Sequence, residues 1–434
     1  MAWREEYRGK LSSAEKAAKI VKSGDVVVTG SVSAEPQSFL KALLERKEEF
    51  RGVEIVHMRT LGRLSYAEKG MEQYFRYNSL FVGQNKVAID AVLSGRADFT
   101  PCHYSEIPGL FIEGHIGADV VVVQLSPPDD HGYCSYGTFV GYLPAAVEKA
   151  KILIGEINEK MPMTYGQPPI HISEMHYIIE ASYPLHVRKR EEPNETLIKI
   201  GENVAGLVKD GAILQTGGGV ADATLHFLGE KKNLGIHTEL LGNKVMDLIR
   251  KGVITGKTKK INKGKAVATF IDGTEELFQF VHQNPGIEVH RVDYTNDPFV
   301  VGQNDNVVAI NSAVEVDLMG QINSESVGNR IISGVGGQYD FARGAKKSEG
   351  GKFIIALPST AMNGKVSRIV PQISSGAAVT IPRHDADYVV TEFGVAHLKG
   401  KSLIRRAESL VNIAHPDFRN QIAQGFRKIF PGWI

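Results

Sequence analysis

Short runs of β-branched and other apolar residues alternate along this chain with segments whose apolar positions recur at helical spacing. Asp25–Thr29, Val120–Leu125, Ile152–Glu156, Ala212–Gln215, Ala266–Ile271 and Phe353–Leu357 read as strands. They are too apolar to keep one face in water, which predicts parallel sheet covered on both sides. Leu40–Arg46, Ala223–Leu228, Glu275–His282 and Ser402–Ile413 read as helices between them. This alternation predicts an α/β fold made of open, mostly parallel sheets.

A weak internal repeat suggests two such domains. Gly24-Asp-Val-Val-Val-Thr29-Gly30 resembles Gly211-Ala-Ile-Leu-Gln-Thr216-Gly217, each a strand ending in Thr-Gly. Val82-Gly-Gln-Asn85 echoes Val301-Gly-Gln-Asn304 in the same order. The polar stretch His186–Glu195 fits a linker, and the expected domains are residues 1–188 and 189–434. A substrate cleft is expected between them, at the carboxyl ends of the strands.

At 434 residues and 42% hydrophobic content, the chain can bury two or three cores. Fifty Lys and Arg against 49 Asp and Glu leave no basic excess for a nucleic-acid backbone. Two cysteines, Cys102 and Cys134, are too few for a disulfide framework and fit a reducing compartment. With no leader-like N-terminus and no long apolar run, a cytoplasmic protein without a membrane span is expected.

Three segments have chemical potential. In Leu214–Ala223 a strand runs into Gly217-Gly218-Gly219 and then a helix, backbone able to approach an anion closely. The plain alternative is a tight turn with no ligand. In Gly235-Ile-His237-Thr238-Glu239 a carboxylate sits at a strand end, a candidate nucleophile, acid or base; most glutamates are merely solvated. Alternation puts His237 on the same strand face as Glu239, to orient it or simply to pack. In Ser333–Ala345, Gly334, Gly336 and Gly337 again imply close approach, with Gln338, Asp340 and Arg343 at hand. Asp129-Asp130-His131 reads as a Pro/Gly turn rather than a metal site, and no metal is expected. Gly217-x-Gly219 with Glu239 twenty residues beyond Gly219 mimics a dinucleotide fingerprint, making an NAD-dependent oxidoreductase one alternative. Asp222, however, takes the third glycine's place.

Together these segments resemble the acetyl-CoA hydrolase/transferase family, and within it the 4-hydroxybutyrate/butyryl CoA-transferase branch. The resemblance runs nearly end to end, through Val123–Tyr133, Ala150–Asn158, Asn311–Ile322, Ser333–Ala345, Ala356–Thr360, Ala386–Val395, Lys399–Arg406 and Asn412–Phe418. It implies two α/β domains of the CoA-transferase superfamily in a homodimer, with coenzyme A as acyl-CoA substrate and a small carboxylic acid as acceptor. The catalytic glutamate of the Gly-Ile-His-Ser/Thr-Glu string maps onto Glu239. The CoA-binding glycine loop maps onto Thr216, Gly217, Gly218, Gly219 and Val220. Further CoA contacts map onto Val314 and Gly337, with Gly336 beside it. The implied reaction is ping-pong transfer of CoA through a glutamyl-CoA thioester; hydrolysis of acyl-CoA is the alternative on the same fold. Departures at Gly217–Asp222 and Leu240–Lys244 fall near the expected acyl pocket. They suggest that Lys244, Arg59 or Arg63 pairs with a second carboxylate, as in succinate or itaconate.

Overall fold

The computed structural model describes residues 2–83 and 85–432. It falls into two compact units, and neither is one continuous stretch of chain. The first takes residues 1–190 and 267–295; the second takes 191–266 and 296–434. The expected boundary at 188/189 lies beside the first crossing, at 190/191. The hydrophobic pattern gives no sign that 267–295 returns to the first unit. There Glu288 and Val289 pair with Tyr165 and Gly166, completing a small sheet that the first 190 residues leave unfinished.

The first unit is organised on seven strands. They are β1 (Val26–Thr29), β2 (Val53–His57), β3 (Phe75–Ser79), β4 (Ala97–Phe99), β5 (Val120–Leu125), β6 (Ile152–Asn158) and β7 (Tyr177–Ala181). Their order is β7-β6-β5-β1-β2-β3-β4, and every pairing is parallel. All six residues of β5 are buried, which explains why Val120–Leu125 has no polar face. Gln124 is the exception in chemistry only. Its amide donates to the Glu35 carbonyl at 2.5 Å and accepts from Asn158 Nδ2 at 3.1 Å, so its burial is matched by hydrogen bonds. The run Ala266–Ile271, read as one strand, is two short ones, Ala266–Ala268 and Phe270–Ile271. Thr269 between them is buried, and its hydroxyl donates to the His290 carbonyl at 2.8 Å.

The second unit has six strands in the order β9-β8-β10-β11-β12-β13. They are β8 (Ile213–Thr216), β9 (Gly235–Ile236), β10 (Val307–Asn311), β11 (Lys352–Ala356), β12 (Tyr388–Thr391) and β13 (Gly394–His397). Only β12–β13 is antiparallel. Val307, Ala309, Phe353, Ile355 and Val389 pack one face against Phe341 and Ala345 of helix 338–347 and Leu410 of helix 403–413. The repeat seen in the sequence holds for the Thr-Gly strand ends of β1 and β8 but not for the second pair of strings. Asn85 caps helix 86–93, accepting from the Val87 and Ala88 amides. Asn304 is buried and accepts from the Lys260 amide at 3.0 Å instead.

Candidate active site

Edge strand β9 is only two residues long, and the point at which it ends sets the site. The parallel ladder runs Ile213 to Gly235 and Leu214 to Ile236, then ends as the His237 amide donates to the Leu214 carbonyl at 3.1 Å. The chain then leaves the sheet, so the expected alternation of His237 and Glu239 on one strand face does not apply. His237 is wholly buried, Thr238 is wholly buried, and Glu239 is half-buried. Lys259 secures the strand from the side. Its ammonium donates to the carbonyls of Ile236 at 2.8 Å and Lys265 at 2.9 Å, which matches its nearly complete burial with charge-assisted bonds.

The Glu239 carboxylate meets the third glycine segment. Asn296 Nδ2 donates to Glu239 Oε2 at 3.0 Å and approaches Asp340 Oδ2 at 3.4 Å. A Cβ on Gly337 would overlap both Glu239 Oε2 and Asn296 Nδ2, so only glycine leaves room there. Gly337 is the N-cap of the ten-residue helix Gln338–Lys347. The glutamate thus lies against a helix N-terminus, where the orphan amides favour negative charge. Gly336, at φ +54°, turns the chain into that cap.

Neighbouring strand ends hold the other segments in place within this unit. Asn311, the last residue of β10, donates from Nδ2 to Gln215 Oε1 on β8 at 2.8 Å. Gln338 Nε2 donates to the Ser312 carbonyl at 2.9 Å, tying the Gly336–Gly337 turn to the residues just after β10, including Val314. Thr216 is buried at the end of β8, and Gly217 and Gly219 are exposed beyond it. Gly218 and Gly219 take φ of +79° and +57°, which L side chains rarely adopt. A Cβ on Gly219 would meet nothing within 4 Å, so that glycine is required by backbone conformation and not by crowding. The helix it opens, Val220–Leu225, has only six residues and adds little dipole. The structure therefore joins Glu239 directly to Gly337, and links Thr216–Val220 and Val314 to the same sheet end through Gln215, Asn311 and Gln338.

Asn296 is the member that sequence reasoning missed. It is wholly buried, and its side-chain amide donates to the carboxylate. Its one local sign is the Asn-Asp-Pro turn before helix 298–301. Asp340, singled out from the sequence, is buried beside it.

The other singled-out charges have different settings. Arg59 donates to Asp272 Oδ2 at 3.0 Å, and Arg188 reaches the same wholly buried carboxylate at 2.7 Å. Arg63 is exposed and pairs with Glu68 at 2.7 Å. Lys244 Nζ lies 3.4 Å from His226 Nδ1. Asp129 Oδ1 accepts from the amides of His131 at 2.8 Å and Tyr133 at 2.9 Å, which makes its segment a turn closed by its own carboxylate. Cys134 is buried, which pushes its thiol up to about 12, while Cys102 is only half-buried.

Comparison with known proteins completes the picture. The acetyl-CoA hydrolase/transferase N-terminal domain matches residues 1–189, and the C-terminal domain of the same name matches 273–426. The 4-hydroxybutyrate coenzyme A transferase of Clostridium kluyveri is 51% identical over 99% of this chain and 100% of its own length. The succinyl-CoA:cyclohexane-1-carboxylate CoA transferase of Geobacter metallireducens is 42% identical over 99% of this chain and 97% of its own. The crystal structure of RipA from Yersinia pestis superposes with a TM-score of 0.93 at 36% identity, over 99% of this chain and 100% of that one.

Proposed function

This chain belongs to the acetyl-CoA hydrolase/transferase family, and from that premise we propose that it is a CoA-transferase of the 4-hydroxybutyrate/butyrate type with Glu239 as its nucleophile. The observation that supports the assignment most directly is the half-buried Glu239 carboxylate, held by Asn296 against a glycine that admits no side chain.

The reaction exchanges one thioester for another and needs no ATP. A Glu239 carboxylate oxygen attacks the acyl-CoA carbonyl carbon; the C–S bond breaks, leaving an acyl–glutamyl anhydride and CoA thiolate. The thiolate attacks the glutamyl carbonyl carbon and expels the first acid as its carboxylate, which leaves CoA on Glu239 as a thioester. The incoming carboxylate attacks that thioester carbonyl and frees the thiolate, giving a new mixed anhydride. The thiolate then attacks the acyl carbonyl, releasing the new acyl-CoA and restoring Glu239. Charges and atoms balance at each step, and ping-pong kinetics result. Each tetrahedral stage places negative charge on oxygen. Backbone N–H groups of Gly217–Gly219 or Gly336–Gly337 are assigned to hold it, each such donor being worth about 3 kcal/mol. Thr216, Gly217, Gly218, Gly219, Val220, Val314, Gly336 and Gly337 are assigned to CoA. Asn296 orients the carboxylate by donating to Oε2.

Arg59 and Arg63 already have carboxylate partners, which argues against either as a receptor for a second substrate carboxylate. The reading kept is a short-chain carboxylic acid acceptor of the butyrate or 4-hydroxybutyrate kind, in a homodimer as the family resemblance implies. With one acyl-CoA donor, butyrate and 4-hydroxybutyrate should be turned over well ahead of succinate and itaconate. A succinate rate equal to butyrate's would reassign the acid to the dicarboxylate class through Lys244. Loss of acyl-CoA without any acceptor, as fast as exchange, would make the enzyme a hydrolase.

A further inference from the structure

We infer that Thr238 is a positioning residue whose hydroxyl clamps the glutamate segment to the strand end that opens the glycine loop, so that nucleophile and loop move as one body. This deepens the reading of Glu239 as nucleophile and rests on it.

In a continued parallel ladder the Thr216 amide would be donated to a main-chain carbonyl of the neighbouring strand. Here it goes to a side chain: Thr238 Oγ1 accepts it at 3.0 Å. The same oxygen lies 3.0 Å from the Thr216 carbonyl and 3.2 Å from the Leu240 carbonyl. A hydroxyl has one proton, so it donates to one of the two carbonyls while accepting the amide. Thr238 is wholly buried, so removing its hydroxyl takes away the acceptor of a buried amide.

Substituting a side chain for the last ladder bond has a geometric consequence. The backbone is free to turn away from the sheet edge after His237, yet it is pinned at residue 238, immediately before Glu239. The other end of the pin is Thr216, the residue that precedes Gly217-Gly218-Gly219. Glu239 passes through anhydride and thioester in each cycle, and its carbonyl must stay in register with the donors throughout. Displacement of a reacting group by about 1 Å costs about 100-fold in rate. Valine has the shape of threonine without the hydroxyl, and serine keeps the hydroxyl without the methyl.

The test is steady-state exchange by Thr238→Val and Thr238→Ser, with CoA binding by calorimetry and thermal melting on the same preparations. Thr238→Val should lower kcat about 100-fold while KM for acyl-CoA and Kd for CoA move less than about threefold, and Thr238→Ser should recover to within about fivefold of the parent. A Thr238→Val kcat within about threefold of the parent overturns the clamp. So does a serine variant as slow as the valine variant, and if the valine variant does not fold, a serine variant slowed more than about tenfold overturns it alone. Glu239→Gln is measured in parallel. Full exchange in that variant overturns the nucleophile assignment itself; lost exchange there with an unaffected Thr238→Val overturns only the clamp.

Discussion

The two main sheets of this protein each place a glutamate against the first turn of a helix, and the two are held differently. On β6 of the first sheet, Glu156 is wholly buried. Its two oxygens accept from the amides of Ser38 at 3.1 Å and Phe39 at 2.9 Å, in the first turn of helix 37–45, and from the Tyr183 hydroxyl. Burial pushes its carboxyl up, and those three donors oppose the shift. In the second unit Glu239 lies beyond the end of edge strand β9, half-buried, with Asn296 and the Gly337 turn against one oxygen. A carboxylate sealed by donors on both oxygens is a structural joint. A half-buried carboxylate just past a strand end is the one proposed here for chemistry.

The largest effect that tests this contrast is a pair of identical substitutions. Glu239→Gln should lower exchange at least about 10,000-fold, as loss of a covalent nucleophile does, with the melting temperature unchanged. Glu156→Gln should do the reverse. Whichever way the new amide is turned, its NH2 group faces a backbone donor, Ser38 N or Phe39 N, which costs about 2 kcal/mol of stability while kcat persists. Equal melting temperatures in both variants would erase the distinction.

Gly337→Ala comes next. The residue has φ −92°, which alanine adopts freely, so backbone strain is not at issue. The added methyl meets Glu239 Oε2 and Asn296 Nδ2, and exchange should fall about 100-fold in a folded protein. Near-normal exchange would show that the carboxylate does not need its observed place.

The last effect, read in stability and not in exchange, concerns Glu35, a second buried carboxyl in the first unit. Burial pushes it up to about 7, the Gly62 backbone partly opposes this, and the Glu156 charge adds to it. His186 lies 3.8 Å away and is itself pushed down by burial. The folded state keeps Glu35 protonated where the unfolded chain, near the ordinary 4.5, has lost that proton. Stability should therefore fall as pH rises from about 4.5 to about 7 and level off above, by roughly 3 kcal/mol at most. Glu35→Gln should flatten that slope, measured as melting temperature against pH. An unchanged slope would place the titration elsewhere.

The pattern of apolar runs located the central strands β1, β5, β6, β8 and β11 closely, because strands buried on both faces are apolar nearly throughout. It missed β2, β3, β4, β7, β10, β12 and β13, among them the buried central strand β10, whereas β9 was anticipated as the strand end at Gly235–Glu239. It also missed the return of 267–295 to the first unit, since nothing local in Ala266–Ile271 records which sheet it will join. Glu239 was legible only through its surrounding string. Gly337 was visible as a glycine, but the reason for it, a carboxylate from a segment about a hundred residues earlier, is set by the fold. Asn296 left almost no mark, because a buried amide that donates to a carboxylate looks like any turn asparagine in sequence.

The most direct measurement is chemical trapping. Incubation with an acyl-CoA followed by borohydride should reduce a glutamyl thioester to the alcohol. Peptide mapping should find that change at Glu239 alone, in step with loss of exchange activity. An inactivated enzyme with unmodified Glu239, or a modified Glu239 in a fully active enzyme, would contradict the account.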